Sequence, residues 1–358
     1  MVTLTPLHFD YQKIGKGKTF LEVYAKVLKA NSIDFKFLRY QNNSRFWDAI
    51  DRSKLFIARY RGIESDLSLM HAILPEIERR GIPTLPNFKT AYHCGDKLRI
   101  ATFYESNAIN HPKTKLFWEF DELMNSIDSN SLEYPLVAKL RRGAASTNVI
   151  MVYSKKELIR LGKNLLQKGV KPGMLEEAAY GKLYVLYLLK KAILNPKSQN
   201  IKNLRHKLHY ILSRDLREME SSCLILQDFL SGNNGDTRIT VIGDRAFGFR
   251  RYNRKGDFRA SGSGLVDHDP NGIDIEMIKM AFDISKRFNF QTMAYDFVYD
   301  KNRKPSILEN NFTYVDSAVA KCPVYWNSKG ETFANNNTLP QYWQLVDAFE
   351  DKNLKYFK

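Results

Sequence analysis

The sequence predicts a mixed α/β (α+β) protein, and three stretches carry that prediction. Residues 1–88 alternate helical and strand-like hydrophobic patterns. Two β-type runs, Pro135–Lys139 and Val149–Tyr153, flank a loop of small and hydroxyl residues, and Met293–Asn311 has the pattern of a β-hairpin. This mixture is typical of sheets that are covered by helices.

In the first 88 residues, three helical patterns alternate with three strand patterns. The predicted helices are Thr19–Asn31, Arg45–Ile50 and Leu67–Arg80, and the predicted strands are Phe35–Arg39, Leu55–Arg59 and Pro83–Leu85. Gly17-Lys18-Thr19 does not belong to a Walker A loop, because Gln12 stands where that pattern needs its first glycine. This part of the chain therefore predicts a small α/β domain.

The segment Pro86–Asp121 has no clear periodicity and is expected to be an irregular connection. The strand Pro135–Lys139 then leads into the loop Arg141–Asn148. Backbone N–H groups in such a loop can approach phosphate oxygens, because no bulky side chain intervenes. The alternative is an ordinary basic turn of a hairpin, and the residues alone leave both interpretations open.

Residues 154–222 are predicted to be mostly helical and strongly basic. No acidic residue occurs between Gly181 and Arg214. The basic residues of this stretch are Lys182, Lys190, Lys191, Lys197, Lys202, Arg205, Lys207 and Arg214, interleaved with Tyr184, Tyr187 and Tyr210. The segment could lie on an anionic membrane, follow a polyanion, or form a solvated basic face.

The C-terminal part contains the signals of a second sheet. Leu224–Leu230 is a buried-type strand, Asp236–Ile242 and Arg245–Tyr252 form a hairpin, and Ile273–Phe288 is an amphipathic helix. The aromatic tail after residue 311 has no assignment beyond packing.

The hairpin within Met293–Asn311 suggests a metal site. If it folds symmetrically about Asn302–Arg303, Asp296 lies opposite Glu309, and Asn311 shares their face. Two carboxylates and an amide oxygen are hard donors that suit Mg²⁺. The alternative is a surface hairpin with ordinary polar residues.

The composition bounds the class of protein. The chain has 358 residues, 44% of them hydrophobic, which is ample for a core and for two or three domains. No apolar run approaches the roughly 20 residues of a membrane span, and no secretory signal is visible at the N-terminus. Three widely spaced cysteines form neither a disulfide framework nor a zinc pattern. These features predict a cytoplasmic protein, and the net charge of +16 predicts an anionic partner.

In their order along the chain, several short motifs resemble those of the ATP-grasp superfamily. They are Asp96-Lys97, Lys139 before the small-residue loop, Gln227-Asp228-Phe229-Leu230, Asp236-Thr237-Arg238, Gly256-Asp257-Phe258-Arg259, and Asp296 followed by Glu309-Asn310-Asn311. The loop motifs and the tail also resemble a branch from surface-polysaccharide gene sets. The resemblance implies an ATP-grasp fold with an N-terminal domain over residues 1–88. It further implies a small subdomain over 89–230, with a basic insertion at about 155–222, and a large subdomain over 231–358.

The resemblance also implies a role for each motif residue. ATP would be bound by Lys97, Lys139, Arg142, Gly143, Ser146, Gln227, Asp228, Phe229, Leu230 and Asp236, with adenine between two sheets. Asp296, Glu309 and Asn311 would hold Mg²⁺. Arg238, Arg251 and Arg259 would stabilise the transferred phosphoryl group and the developing oxyanion. Asp228 departs from the usual glutamate, which puts a direct side-chain bond to the nucleotide in doubt.

The activity that the resemblance implies is ATP-dependent ligation of a carboxylate to an amine through an acyl phosphate. Kinase activity on the same fold, and a nucleic-acid- or membrane-binding module without turnover, are the alternatives. The positive charge favours an anionic acceptor, such as a uronic-acid glycan or a lipid-linked sugar, with peripheral contact at the inner membrane face; nucleic acid is not expected as a partner. Arg59 and Arg61 are either part of an acceptor carboxylate site or surface arginines.

Overall fold

The computed structural model describes residues 1–6, 19–60, 64–143, 148–171, 173–181, 193 and 223–357. These residues form two compact units. The first unit combines Met1–Gly95 with Gly232–Lys358, and the second is Asp96–Ser231. The three-domain division that the sequence suggests stays a prediction.

The N-terminal part of the first unit is a parallel sheet with helices. Its strands are β1 (Val2–Pro6), β2 (Phe35–Phe37), β3 (Leu55–Arg59) and β4 (Thr84–Leu85), in the spatial order β2-β1-β3-β4. Its helices are α1 (Phe20–Ala30), α2 (Ser44–Asp51), α3 (Glu64–Arg79) and α4 (Phe88–Tyr92). Helix α1 begins after Thr19, which forms a capping box with Glu22. Its apolar side packs with β1 and β3 in one hydrophobic core.

The C-terminal part of the first unit is a larger sheet, with seven strands among the described residues. The strands are β9 (Gly235–Ile242), β10 (Arg245–Tyr252), β11 (Val266–Asp267), β12 (Thr292–Tyr299), β13 (Pro305–Asn311), β14 (Val324–Trp326) and β15 (Thr332–Ala334). Their order is β13-β12-β9-β10-β14-β15, and β11 pairs with β10. Helices α9 (Ile275–Arg287), α10 (Asp316–Ala320) and α11 (Pro340–Phe349) accompany this sheet. Leu345 and Val346 of α11 join the core of the N-terminal sheet, which ties both parts into one unit.

The second unit contains an antiparallel sheet and several helices. Its strands are β5 (Thr114–Phe117), β6 (Leu136–Lys139), β7 (Val149–Val152) and β8 (Leu224–Asp228), in the order β5-β8-β6-β7. Its helices are α5 (Lys97–Ser106), α6 (Phe120–Asp128), α7 (Lys155–Lys168) and α8 (Leu175–Tyr180). Leu136, Ala138 and Leu226 pack with residues of α6, α7 and α8. Because residues alternate between faces, Lys139 and Gln227 lie on the opposite face of this sheet.

The segment 86–121 corrects one prediction, because it is not an irregular connection. It contains α4, α5 and β5, and α6 begins at its end. Asn87 and Asp96 accept hydrogen bonds from backbone N–H groups in the first turns of α4 and α5. These helices are short, so their caps define them better than any hydrophobic period does.

The predicted insertion is only partly visible. Helices α7 and α8 account for its described start, and residues 182–192 and 194–222 lie outside the described residues. The three interpretations of the stretch 181–214, as a membrane contact, a polyanion contact or a solvated basic face, therefore all stay predictions. Among the described residues, no helix is both long and apolar enough to cross a bilayer.

Candidate active site

The hairpin of β12 and β13 brings two predicted metal ligands together. Asp296 and Glu309 are directly opposed, and Asn311 is opposed to Ala294. Since alternate residues of a strand share a face, Asp296, Glu309 and Asn311 lie on one side of the sheet. The predicted opposition of Asp296 and Glu309 is confirmed.

On the same face, Asp296 is held by two arginines. Arg238 is opposed to Asp296 on β9, and its Nε and Nη2 lie 2.6 and 2.8 Å from the two carboxylate oxygens. Arg251 places Nη2 at 2.8 Å from Oδ2 of Asp296. Arg251 also forms a bidentate pair with Asp236, with distances of 2.6 and 2.7 Å. We call Asp236, Arg238, Arg251, Asp296 and Glu309 the paired-charge face.

Because these ion pairs are buried, they shift the pKa values of the side chains that form them. Burial raises the pKa of Asp236, the neighbouring Asp296 carboxylate adds to the effect, and the pKa reaches about 6. Burial acts on Asp296 in the same sense, but Arg238 and Arg251 outweigh it and lower the pKa of Asp296 below its ordinary value. Although burial opposes it, the two carboxylates raise the pKa of Arg251. Asp296 is therefore ionised at neutral pH, as a metal ligand must be.

Glu309 and Asn311 differ in their contacts. Glu309 is half-buried and has no hydrogen-bond or ion-pair partner among the described residues. The Oδ1 of Asn311 accepts hydrogen bonds from the backbone N–H and the hydroxyl of Thr313 at 2.8 and 2.7 Å, and the thiol of Cys94 donates to it at 3.3 Å. Glu309 is thus the member of the predicted metal set with uncommitted oxygens.

The donor set fits Mg²⁺ by its chemistry. Its members are hard oxygen donors on one face, and two of them carry charge. The described residues contain no group of three or more His, Cys, Asp or Glu side chains that could hold a metal. A site here would consist of two carboxylates and one amide oxygen, and Asp296 and Asn311 would exchange present contacts for the ion.

Arg259, the third predicted catalytic arginine, is placed differently. Its Nε and Nη2 lie 2.9 and 3.0 Å from the carboxylate of Asp257, two residues earlier in the same loop. Burial alone would raise the pKa of Asp257, but the hydrogen bonds and charge of Arg259 lower it. The sequence did not suggest a role for Asp257 as the partner that orients Arg259.

In the second unit, a buried aspartate organises the basic residues around α5. Asp96 is fully buried and caps α5 through the N–H groups of Leu98 and Arg99. Arg141 binds it through Nε and Nη2, at 2.8 to 3.1 Å. Arg99 and Arg142 approach the same carboxylate at 3.3 and 3.5 Å. The Asp-Lys motif was found from the sequence, but this arginine shell was not.

Lys97 and Lys139 are held by neutral oxygen atoms. The Nζ of Lys97 donates to the carbonyl of Gly143 at 2.6 Å, and the Nζ of Lys139 donates to Oε1 of Gln227 at 2.7 Å. Gly143 has a φ of +134°, which L side chains rarely adopt, so a glycine suits this carbonyl's position. Gln227 in turn donates to the hydroxyl of Thr114 at 3.1 Å. Lys97, Lys139, Arg141 and Arg142 form what we call the basic end of β6.

The remaining predicted site residues lie at the end of β8 or outside the described residues. Asp228 ends β8, where its N–H donates to the carbonyl of Lys113 at 2.9 Å, and Phe229 and Leu230 follow it directly. Ser146 and Arg61 lie outside the described residues. The residue assignments as a set stay predictions.

The architecture is that of the ATP-grasp fold. D-cycloserine synthetase DcsG aligns with a TM-score of 0.55 at 10% identity, over 98% of this chain and 99% of that chain. D-alanine–D-alanine ligase from Bacillus anthracis, in a complex with ATP, aligns with a TM-score of 0.55 at 13% identity, over 98% and 96%. A RimK domain ATP-grasp protein from Sphaerobacter thermophilus gives 0.51 at 12% identity, over 97% and 98%. At such identities the likeness establishes the fold, and the predicted fold class is confirmed.

Two sequence matches agree with the fold. Residues 198–319, about one third of the chain, match the family model of the RimK-like ATP-grasp domain. The coenzyme γ-F420-2:α-L-glutamate ligase of Methanocaldococcus jannaschii is 28% identical over 93 residues, which are 26% of this chain and 32% of that protein. The match thus spans about a third of the length of this curated relative. The placement in a surface-polysaccharide branch stays a prediction.

Proposed function

We propose that this chain is an ATP- and Mg²⁺-dependent ligase that joins a carboxylate to an amine through an acyl phosphate. One observation carries the proposal: the two charged regions have opposite surpluses. The paired-charge face sets three carboxylates against two guanidiniums. The basic end of β6 holds four cations, of which Arg141 and Arg142 pair with Asp96, while Lys97 and Lys139 donate to a carbonyl and an amide oxygen. The first surplus suits a divalent cation, and the second suits a polyphosphate.

The paired-charge face would hold the metal and the transferred group. Asp296, Glu309 and Asn311 would bind Mg²⁺, which neutralises phosphate charge when it is bound. If Asp296 held the ion, Arg251 would keep its bidentate pair with Asp236 and so its position. The guanidinium of Arg238, which now pairs with Asp296, would then be available to stabilise an oxyanion.

The basic end of β6 would bind the phosphates. Lys97 donates to the carbonyl of Gly143 and Lys139 donates to Oε1 of Gln227, and either ammonium would exchange this hydrogen bond for one to a phosphate oxygen. Arg142 and Gly143 would approach the same phosphates, with Ser146 as a further predicted contact. Gln227 and the backbone of Asp228, Phe229 and Leu230 would contact the adenine.

The proposed reaction needs no nucleophile from the protein. An oxygen of the substrate carboxylate forms a bond to the γ-phosphorus while the bond to the β–γ bridging oxygen breaks, which gives an acyl phosphate and ADP. The amine then attacks the acyl carbon, phosphate leaves, and the amine loses a proton. Positioning and charge neutralisation dominate such a transfer. Arg259, oriented by Asp257, is the proposed third stabiliser of the developing negative charge.

We further propose an anionic acceptor, because the chain carries a net charge of +16. A uronic-acid glycan or a lipid-linked sugar at the inner face of a membrane has the required charge. The relative's name supports L-glutamate as an amine to test. These identities rest on charge and on that name.

The decisive experiment labels the carboxylate oxygens of candidate acceptors with ¹⁸O and supplies ATP, Mg²⁺ and candidate amines. Mass spectrometry should find an amide product and one ¹⁸O in the released phosphate, because the acyl phosphate transfers that oxygen. A phosphorylated sugar without ¹⁸O in free phosphate would replace the ligase with a kinase. If no carboxylate, sugar or amine of the panel raises ADP release above the ATP-only rate, the proposal of an enzyme is wrong.

A matched pair of variants ties any turnover to the proposed site. Glu309→Gln should abolish Mg²⁺-dependent ADP release, since it removes an anionic ligand. Glu331→Gln alters an exposed glutamate that bonds Asn327 in the same unit and should leave release unchanged.

A further inference from the structure

The carboxyl end of strand β3 carries an arginine that the proposed ATP site does not use. Arg59 is the last residue of β3 and is paired in register with Pro6 at the end of β1. Strands β2 and β3 lie on opposite sides of β1, so the chain changes direction across the sheet between β1 and β3. In open parallel sheets, ligands bind outside the carboxyl ends of strands at such a point.

The guanidinium of Arg59 is fixed without a carboxylate. Its Cζ lies 3.9 Å from the ring centre of Phe20, the first residue of α1, and its Nη2 donates to the backbone carbonyl of Tyr314 at 3.0 Å. Among the described residues, Arg59 makes no ion pair with any carboxylate. One carbonyl bond leaves most of its five N–H donors for another partner.

Of the described groups near Arg59, Tyr24 and Tyr314 are neutral, whereas the negative charge of Asp316 favours the Arg59 cation without a direct ion pair. Tyr24 and Tyr314 are buried, and burial raises the pKa of both phenols, so they are uncharged at neutral pH. The carboxylate of Asp316 accepts hydrogen bonds from the N–H of Ser317 at 2.7 Å and from Gln341 at 3.0 Å. Burial lowers the pKa of Arg59, as expected for a cation in a desolvated environment.

Two further features favour an anion at this point. Arg59 lies against the first turn of α1, an 11-residue helix whose N-terminus carries partial positive charge. The segment after β13 also packs here: Tyr314 holds Arg59, and the ring of Phe312 lies 5.1 Å from that of Tyr60. Asn311, a proposed metal ligand, directly precedes that segment. An anion bound by Arg59 would therefore lie beside the segment that follows Asn311 and the proposed metal ligands of the hairpin.

We propose that Arg59 binds a carboxylate of the acceptor substrate, distinct from the group that reacts. The inference rests on the proposed function, because it names the acceptor's chemistry. A planar guanidinium with one edge already fixed by Tyr314 suits a planar, bidentate carboxylate. The carboxylate would remain outside the reaction and would orient the acceptor.

The test measures binding without nucleotide, so that it does not depend on turnover. Succinate, L-glutamate and D-glucuronate are titrated into the full chain in low-chloride buffer, followed by ligand-observed NMR and calorimetry. Succinamide and D-glucose are the uncharged counterparts, and inorganic phosphate is the competing anion. At least one carboxylate should bind saturably, more tightly than its counterpart and than phosphate.

Matched arginine variants locate the site. Arg59→Gln should weaken carboxylate binding at least tenfold. Arg80→Gln alters an exposed arginine that also stacks on an aromatic ring, Trp47, but has Asp51 as its counter-ion, and it should change nothing. Arg59→Lys keeps the charge and loses the planar fork. Its affinity should fall at least threefold, and this variant decides the case if Arg59→Gln does not fold.

The outcomes separate this inference from the proposed function. If no carboxylate of the panel binds the parent, if phosphate binds better, or if the Arg59 variants bind as the parent does, the inference is wrong, whatever the rate of ADP release. If carboxylate binding depends on Arg59 and acceptor-dependent ADP release is absent, the anion site stands and the ligase proposal falls.

Discussion

The paired-charge face of the first unit and the basic end of β6 in the second solve opposite electrostatic problems. On the paired-charge face, each arginine contacts a carboxylate on a neighbouring strand, and Glu309 adds a further negative charge. At the basic end of β6, Lys97 and Lys139 are held by a carbonyl and an amide oxygen. The difference between the two regions shows that the present hydrogen-bond partner of a charged side chain, as well as its charge, determines how readily that side chain can bind a ligand.

The largest expected effect separates the two carboxylates of the hairpin. Asp296→Asn removes the carboxylate shared by the buried Arg251 and the partly buried Arg238, and it should lower the free energy of unfolding by about 3 kcal/mol. Glu309→Gln removes no contact among the described residues, so its stability should match that of the parent. Both variants should lose Mg²⁺-dependent ATP turnover by roughly 100-fold or more. Urea unfolding and coupled ADP release measure the two effects.

Equal turnover in both variants and the parent would remove the metal assignment. Equal losses of stability would instead show that Glu309 has a structural partner. Glu331→Gln serves as the control for both measurements.

The second prediction compares two lysines of one sheet in the second unit. Lys139→Ala should weaken ATP binding about tenfold to 100-fold, because its ammonium is proposed to turn from Gln227 to a phosphate. Lys115→Ala removes from β5 an ammonium that donates to Ser131, and this variant should bind ATP as the parent does. Calorimetric titration of both variants measures this difference. Equal affinity of the parent and Lys139→Ala would contradict the phosphate role.

Much of the fold could be predicted because its strands follow local rules. The Leu55–Arg59 strand was predicted with its observed bounds, and the hairpin predicted within Met293–Asn311 is formed by the strands Thr292–Tyr299 and Pro305–Asn311. The opposition of Asp296 and Glu309 was also predicted, but the two strands are not paired in one continuous register between this pair and the turn. The register shifts between Asp296 and Phe297, so Leu308 is an extra residue on β13. A symmetric count about the turn gave the right pair without revealing this bulge.

The ion pairs could not be predicted, because they depend on contacts distant in sequence. Arg238 and Asp296 are 58 residues apart and meet only because β9 and β12 are neighbours. Asp96 and Arg141 are 45 residues apart. A sequence motif marks Asp96 as a helix start beside a lysine, but periodicity and turn signals do not show which distant side chains converge on it.

The third prediction compares two arginines that are both proposed to stabilise charge. Arg251→Gln breaks two buried ion pairs, so it should lower stability by about 3 kcal/mol as well as turnover. Arg259→Gln removes a pair with Asp257 in a more exposed loop, and it should lower kcat roughly tenfold with stability near that of the parent. If Arg259→Gln alters neither kcat nor KM, Arg259 has no part in the reaction.

The last prediction concerns pH and the buried aspartate of the second unit. Burial alone would raise the pKa of Asp96, but the hydrogen bond from Arg141 and the charges of Arg142 and Arg141 lower it below the ordinary 3.8. Because the folded-state pKa is lower than the unfolded one, the stabilisation is complete above about pH 5 and is lost as the pH falls through the folded-state value.

Asp96→Asn keeps a good N-cap for α5 and removes only the charge. The parent should therefore exceed this variant in unfolding free energy by a constant amount from about pH 5 to 7, and the difference should shrink below about pH 4. Urea unfolding between pH 3 and 7, with hydrogen exchange of the α5 amides as a local probe, measures the difference. A difference that stays constant down to pH 3 would mean that the Asp96 charge does not stabilise the arginine shell.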